Sequence, residues 1–141
     1  MSDERRFAAD GVEEFFPYDG PHCPDRVADA ARGLSALVRY LNNATGPSND
    51  RVTLVWAATV HRVLCGVTTA VHGLDQLFDQ LTAAMERQAL DPSLYDDRRD
   101  RRGRDTAIDV AMHIYSTRPV ARALAIELER AQQLAAHLGN D

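Results

Sequence analysis

The chain has no lysine, only two cysteines and no apolar run long enough to cross a membrane, and each shortage removes a class of protein. All 16 basic side chains are arginines and 21 residues are acidic, so the net charge is −5. The molecule as a whole therefore repels phosphate, and any affinity for nucleic acid has to come from a local patch. Cys23 and Cys65 lie far apart and form no Cys-x-x-Cys pair, which argues against a disulfide framework. Together with the charged start Ser2-Asp3-Glu4-Arg5-Arg6, this points to a reducing cytoplasm with no secretory signal. The richest apolar stretch, Val52 to Leu81, is broken by His61, Arg62, His72, Asp75 and Asp79, which rules against a membrane segment. There is no glycine-rich phosphate loop, no Gly-x-Ser-x-Gly and no His-Glu-x-x-His, so no familiar motif indicates catalysis, and no cofactor or metal is expected.

What remains is helical periodicity. At 141 residues the chain is long enough for one domain. Residues 1–23 hold Gly11, Pro17, Gly20 and Pro21 and read as a flexible tail around an aromatic knot, Phe15-Phe16-Pro17-Tyr18. A first helix is predicted over 24–45, opening at Pro24, with the stripe Val27, Ala30, Leu34, Leu37, Leu41 and a stop at Gly46-Pro47. A second over 50–90 carries Trp56, Val60, Val63, Val67, Ala70, Leu74, Leu77, Leu81 and Ala84 at alternating steps of four and three, with Gly73 as a bend point. A charged, solvated connection follows over 91–104. The last helix, 105–138, has the stripe Ala107, Val110, Ile114, Thr117, Ala121, Leu124, Leu128, Ala131, Ala135, Leu138 and keeps phase through Pro119, which predicts one kinked helix.

Two stripes of matching length joined by a short connection predict an all-α fold: a three-helix bundle, or four helices if Pro119 breaks the last one, built on a long antiparallel hairpin. The helical domain spans 24–138. The first helix is too short to cover the hairpin, so apolar surface is left over, including Ile108, Met112 and Tyr115 on the second face of the last helix. These three are the candidate protein interface, and a self-complementary dimer is the simplest way to bury such a face.

Two clusters have chemical interest. His61, Cys65, Thr68, His72, Asp75 and Asp79 share one face of the second helix, read as a polar outer surface opposite the seam. His61 and Cys65 have zinc-ligand chemistry, but His72 lies too far along the helix for one ion to join all three. In the connection, Arg98, Arg99, Arg101, Arg102 and Arg104 are candidate phosphate contacts, with Asp96, Asp97 and Asp100 interleaved to pair with them.

The stretches Tyr40-Leu41-Asn42-Asn43-Ala44-Thr45, Thr59-Val60-His61-Arg62-Val63-Leu64 and Leu74-Asp75-Gln76-Leu77-Phe78-Asp79-Gln80-Leu81 resemble a pattern in small, uncharacterised helical proteins of actinobacteria. That resemblance implies a common hairpin and no assigned reaction. Arg130 and His137 resemble the Arg-x4-6-His signature of the helical HEPN ribonucleases, with Ala131 where that family has a polar residue. A comparison with the WXG100 hairpins fails, because Trp56 is followed by Ala57-Ala58 inside a predicted helix and Tyr95 has Arg99 in place of an acid. The expectation is a non-enzymatic helical interaction or scaffold protein, dimeric, serving an unidentified protein partner. A nucleic-acid accessory protein working through the arginine loop and a HEPN-like ribonuclease are the alternatives.

Overall fold

A computed structural model describes residues 8–141, and side chains from residue 10. The described chain is all-α, with helices α1 Ala8–Phe15, α2 Pro24–Ala44, α3 Asp50–Thr53, α4 Ala57–Gln88 and α5 Gly103–Ala135. The only β pairing among the described residues is an isolated bridge between Tyr95 and Arg102. No described helix is long and apolar enough to cross a membrane.

The described chain divides into two compact units, one ending at residue 53 and the other spanning 54–141. In the first, part of the expected tail is helical. The carbonyl of Phe15, at the end of α1, accepts a hydrogen bond from Arg26, and the Phe16 ring lies near Gly33 of α2. Phe15 and Tyr18 remain exposed. Pro24 opens α2, as its fixed φ and missing N–H allow. The helix ends on Thr45 with φ −101°, so Gly46 is not the left-handed cap that the sequence suggested. Thr45 Oγ1 instead donates to the Leu41 carbonyl (2.8 Å), and Thr53 Oγ1 ties α3 back to the Ala44 carbonyl (2.6 Å). No residue of α2 is buried.

The second unit is the expected long hairpin: α4 and α5 pack along their length, and the connection between them is 89–102. The α4 helix begins at Ala57, so Trp56 stands just outside it in an extended conformation, and the turn over Asp50–Thr53 is separate. α5 runs without a break through Pro119, because its ring and missing N–H fall on the exposed side of the helix.

The seam only partly follows the apolar stripes. On α4 the shielded row is Ala57, His61, Leu64, Thr68, Val71, Asp75, Phe78, Thr82 and Met85, one position on from the predicted stripe, whose Val63, Val67, Leu74 and Ala84 are half-buried beside it; on α5 the predicted Ala107, Ile114, Ala121, Leu128 and Ala135 are in the seam. On α5 the shielded row is Gly103, Ala107, Ala111, Ile114, Arg118, Ala121, Ala125, Leu128, Gln132 and Ala135. Its fully buried members on α5 are all alanine or glycine. The short side chains of α5 let the two backbones approach closely, and Leu64, Val71, Phe78, Met85, Ile114 and Leu128 fill the line between them. Val60, Leu77, Leu81 and Leu124 of the predicted stripes are exposed beside it.

Candidate interaction surfaces

Rotation of the seam gives the hairpin two unlike faces. In an antiparallel pair, the row preceding the seam on one helix lies beside the row preceding it on the other. On that side α4 contributes Val60, Val63, Val67, Leu74, Leu77 and Leu81, while α5 contributes Val110, His113, Thr117, Val120, Leu124, Glu127, Ala131 and Leu134. Leu77, Leu81 and Leu124 are 42, 43 and 49 % exposed. The α4 row bears no charge from Val60 to Ala84. Flanking it on α5, Glu127 is occupied by Arg130 (2.5 Å).

The opposite face is polar and carries cross-links between the helices. Arg118 Nε donates to Asp75 Oδ1 at 2.9 Å and its Nη1 donates to Asp79 Oδ1 at 2.8 Å. Arg122 Nε donates to the other Asp75 oxygen at 2.9 Å. Hydrogen bonds from Arg118, then Arg122, hold the Asp75 carboxyl below its ordinary value, and the same contact with Asp75 raises Arg118. His72 Nε2 stands 3.3 Å from Glu129. The polar row of α4 is therefore no outer surface: His61, Thr68 and Asp75 belong to the seam, and Asp75 and Asp79 meet arginines of α5. Cys65 Sγ is 3.5 Å from His61 Nε2, but no group of three His, Cys, Asp or Glu side chains among the described residues is arranged to hold a metal.

Ile108, Met112 and Tyr115 also lie on this polar face. With Thr82, Glu86 and Ser116 they line a shallow hollow, and Met112 and Tyr115 are 61 and 59 % exposed. The Arg118 guanidinium sits 5.7 Å from the Tyr115 ring centre, which fixes one side of that patch.

The arginine connection is built, not merely solvated. Asp96 has a side chain only 3 % exposed and accepts from Arg98 Nε (3.0 Å), Arg98 Nη2 (2.7 Å), the Arg98 N–H (3.0 Å) and Thr106 Oγ1 (2.5 Å). Its carboxyl is held far below the usual carboxylate range, first by the Arg98 side chain and then by Thr106. Asp91 takes both the N–H and the hydroxyl of Ser93, at 2.8 and 2.7 Å. Gly103 closes the structure from the helix side: a Cβ there would stand 2.5 Å from the Leu94 carbonyl oxygen, so only glycine fits. Of the candidate phosphate contacts, Arg98 is committed to Asp96 and Arg101 to Asp109 (2.7 Å). Arg99 lies over the Tyr95 ring at 4.6 Å, while Arg102 and Arg104 have no ion-pair partner among the described residues.

Arg130 and His137 are not brought together. Arg130 is paired with Glu127, and His137 lies in the turn beyond the end of α5. Searches of protein-family models, curated proteins and solved structures find no significant match to the chain.

Proposed function

We propose that the protein is a non-enzymatic helical scaffold that self-associates through the aliphatic face of its hairpin. The polar face with Ile108, Met112 and Tyr115 is left open to a protein partner. The observation that carries this reading is the aliphatic row beside the seam, in which Val60, Leu77, Leu81 and Leu124 remain exposed. A second copy is the occupant favoured by area and by charge. The 32 residues of α4 make a helix roughly 48 Å long at ~1.5 Å per residue. Two such helices side by side, each about 10 Å wide, offer roughly 900 Å², close to the ~800 Å² that each partner contributes to an ordinary stable interface. The α4 row carries no charge and Glu127 on α5 is paired with Arg130, so little like charge is forced together when the face meets its twofold copy.

Sedimentation of the full chain at micromolar concentration tests this, with a mass of twice 15.6 kDa expected. Leu77→Glu combined with Leu124→Glu should give a monomer, since a buried unpaired carboxylate opposes association. A wild-type chain that sediments as a folded monomer throughout the micromolar range would end the proposal.

A further inference from the structure

We propose that the hollow at the tip of the hairpin binds a small phosphate monoester, of the size and chemistry of a nucleoside monophosphate. The site lies apart from the aliphatic face and does not depend on dimerisation. Its volume is about 520 Å³, and its walls include Leu94, Tyr95, Arg99, Arg101, Arg102 and Arg104. Small-molecule sites fall at roughly 300–1,000 Å³, so the hollow has room for one nucleotide.

Charge separation within the connection is the central observation. In the sequence arginines and aspartates alternate and nearly cancel, but in space they are sorted. Four arginines line the hollow, whereas Asp97 and Asp100 are absent from its walls. Of the two aspartates that do line it, Asp96 is neutralised by Arg98 and also held by Thr106, while Asp91 keeps its charge with one oxygen engaged by Ser93. Arg101 is held by Asp109. Arg99, Arg102 and Arg104 are left as cations around one cavity with no carboxylate partner among the described residues.

A guanidinium presents a planar fork that matches two phosphate oxygens, and several forks around one hollow suit a terminal phosphate with its two negative charges. The Arg99 guanidinium over the Tyr95 ring supplies a flat, partly aromatic wall on which a base can stack. The net charge of −5 works against a long polyanion, which would carry many phosphates past the acidic remainder of the surface. A single phosphate inside the hollow avoids that repulsion.

Isothermal titration calorimetry of the full chain at low salt is the test, with AMP, adenosine, inorganic phosphate and a single-stranded oligonucleotide lacking a terminal phosphate as probes. AMP should bind saturably, adenosine should not, and inorganic phosphate should bind more weakly than AMP. Arg102→Gln with Arg104→Gln should weaken AMP by about tenfold or more, the loss of two charge-assisted contacts. Arg104→Gln alone, on the exposed first turn of α5, should weaken it in part with the helical circular dichroism unchanged. Arg87→Gln, outside the hollow, should leave it as it is. The proposal is overturned if AMP shows no saturable binding up to about 10 mM or if the arginine variants bind AMP like the parent. It is equally overturned if inorganic phosphate matches AMP or the oligonucleotide binds more tightly than AMP.

Discussion

The Ala57 N–H donates to Asn140 Oδ1 at 2.8 Å, so a residue beyond α5 caps the start of α4. The N-cap residue itself is Trp56, which makes no side-chain hydrogen bond there. A helix N-terminus has N–H groups without intrahelical partners, and the distant asparagine satisfies one of them while clasping the open end of the hairpin. Asn140→Ala should cost about 0.5–2 kcal/mol of unfolding free energy, the usual value of a lost cap. Amide exchange should show the loss first at Ala57. Unchanged protection there would mean that the bond carries no load.

The alanine row of α5 leaves little room for substitution in the seam. Ala111→Leu or Ala125→Leu enlarges a buried position between close backbones and should cost about 1–3 kcal/mol or more, or force the helices apart. Removing the hydroxyl of Thr68, which is buried with no partner among the described residues, should act the other way. Thr68→Val is expected to gain about 1 kcal/mol in urea or thermal unfolding.

Gly66 and Gly73 lie on the exposed side of α4, where an added Cβ meets nothing within 4 Å. Alanine at either site should stabilise the helix by about 0.5–1 kcal/mol, chiefly by restricting the unfolded chain. Denaturant midpoints of the two single variants and the double would show it, and a destabilised Gly73→Ala would indicate that this position is needed for a bend.

Acid sensitivity should be concentrated in three aspartates. Asp75, Asp91 and Asp96 are all held below their ordinary values by hydrogen bonds in the folded chain. A depressed carboxyl contributes stability that is fully present above its unfolded pKa, near ~3.9, and is lost as pH falls towards its folded value. These groups should therefore support the melting temperature fully and without pH dependence around neutrality, and it should fall below about pH 4. Asp96→Asn should melt lower at pH 7 and fall less steeply in acid; an acid limb as steep as that of the parent would exclude Asp96 as a source.

The sequence made the helices legible and left their facing obscure. Pro24, the three-and-four spacing of α4 and α5, and the charged break at 91–102 are local signals, and the all-α hairpin follows from them. On α5 half of the predicted stripe, Ala107, Ile114, Ala121, Leu128 and Ala135, is in the seam, whereas on α4 the stripe was set one position off, because large aliphatic residues are ordinarily the buried ones. The contrary signal was present: Ala107, Ala111, Ala121 and Ala125 recur on one side of α5, and His61, Thr68, Asp75, Thr82 and Ala89 recur every seventh residue on α4. Arg118, shielded among those alanines, was the clue that Asp75 faced it. The buried Asp96 and the hollow depend on contacts with Thr106 and Gly103, which no periodicity reveals. In α1, a helix of eight residues that includes Gly11 and stops short of Pro17 gives too short a pattern to read.

The clasp at Asn140 and the closure at Gly103 stand at opposite poles of a rod whose long axis is about 48 Å, several times the ~7–10 Å beyond which substitutions act independently. Each pole is thus its own workshop for engineering: damage at one should neither deepen nor rescue damage at the other. The energies of a double variant such as Asn140→Ala with Arg104→Gln should simply sum.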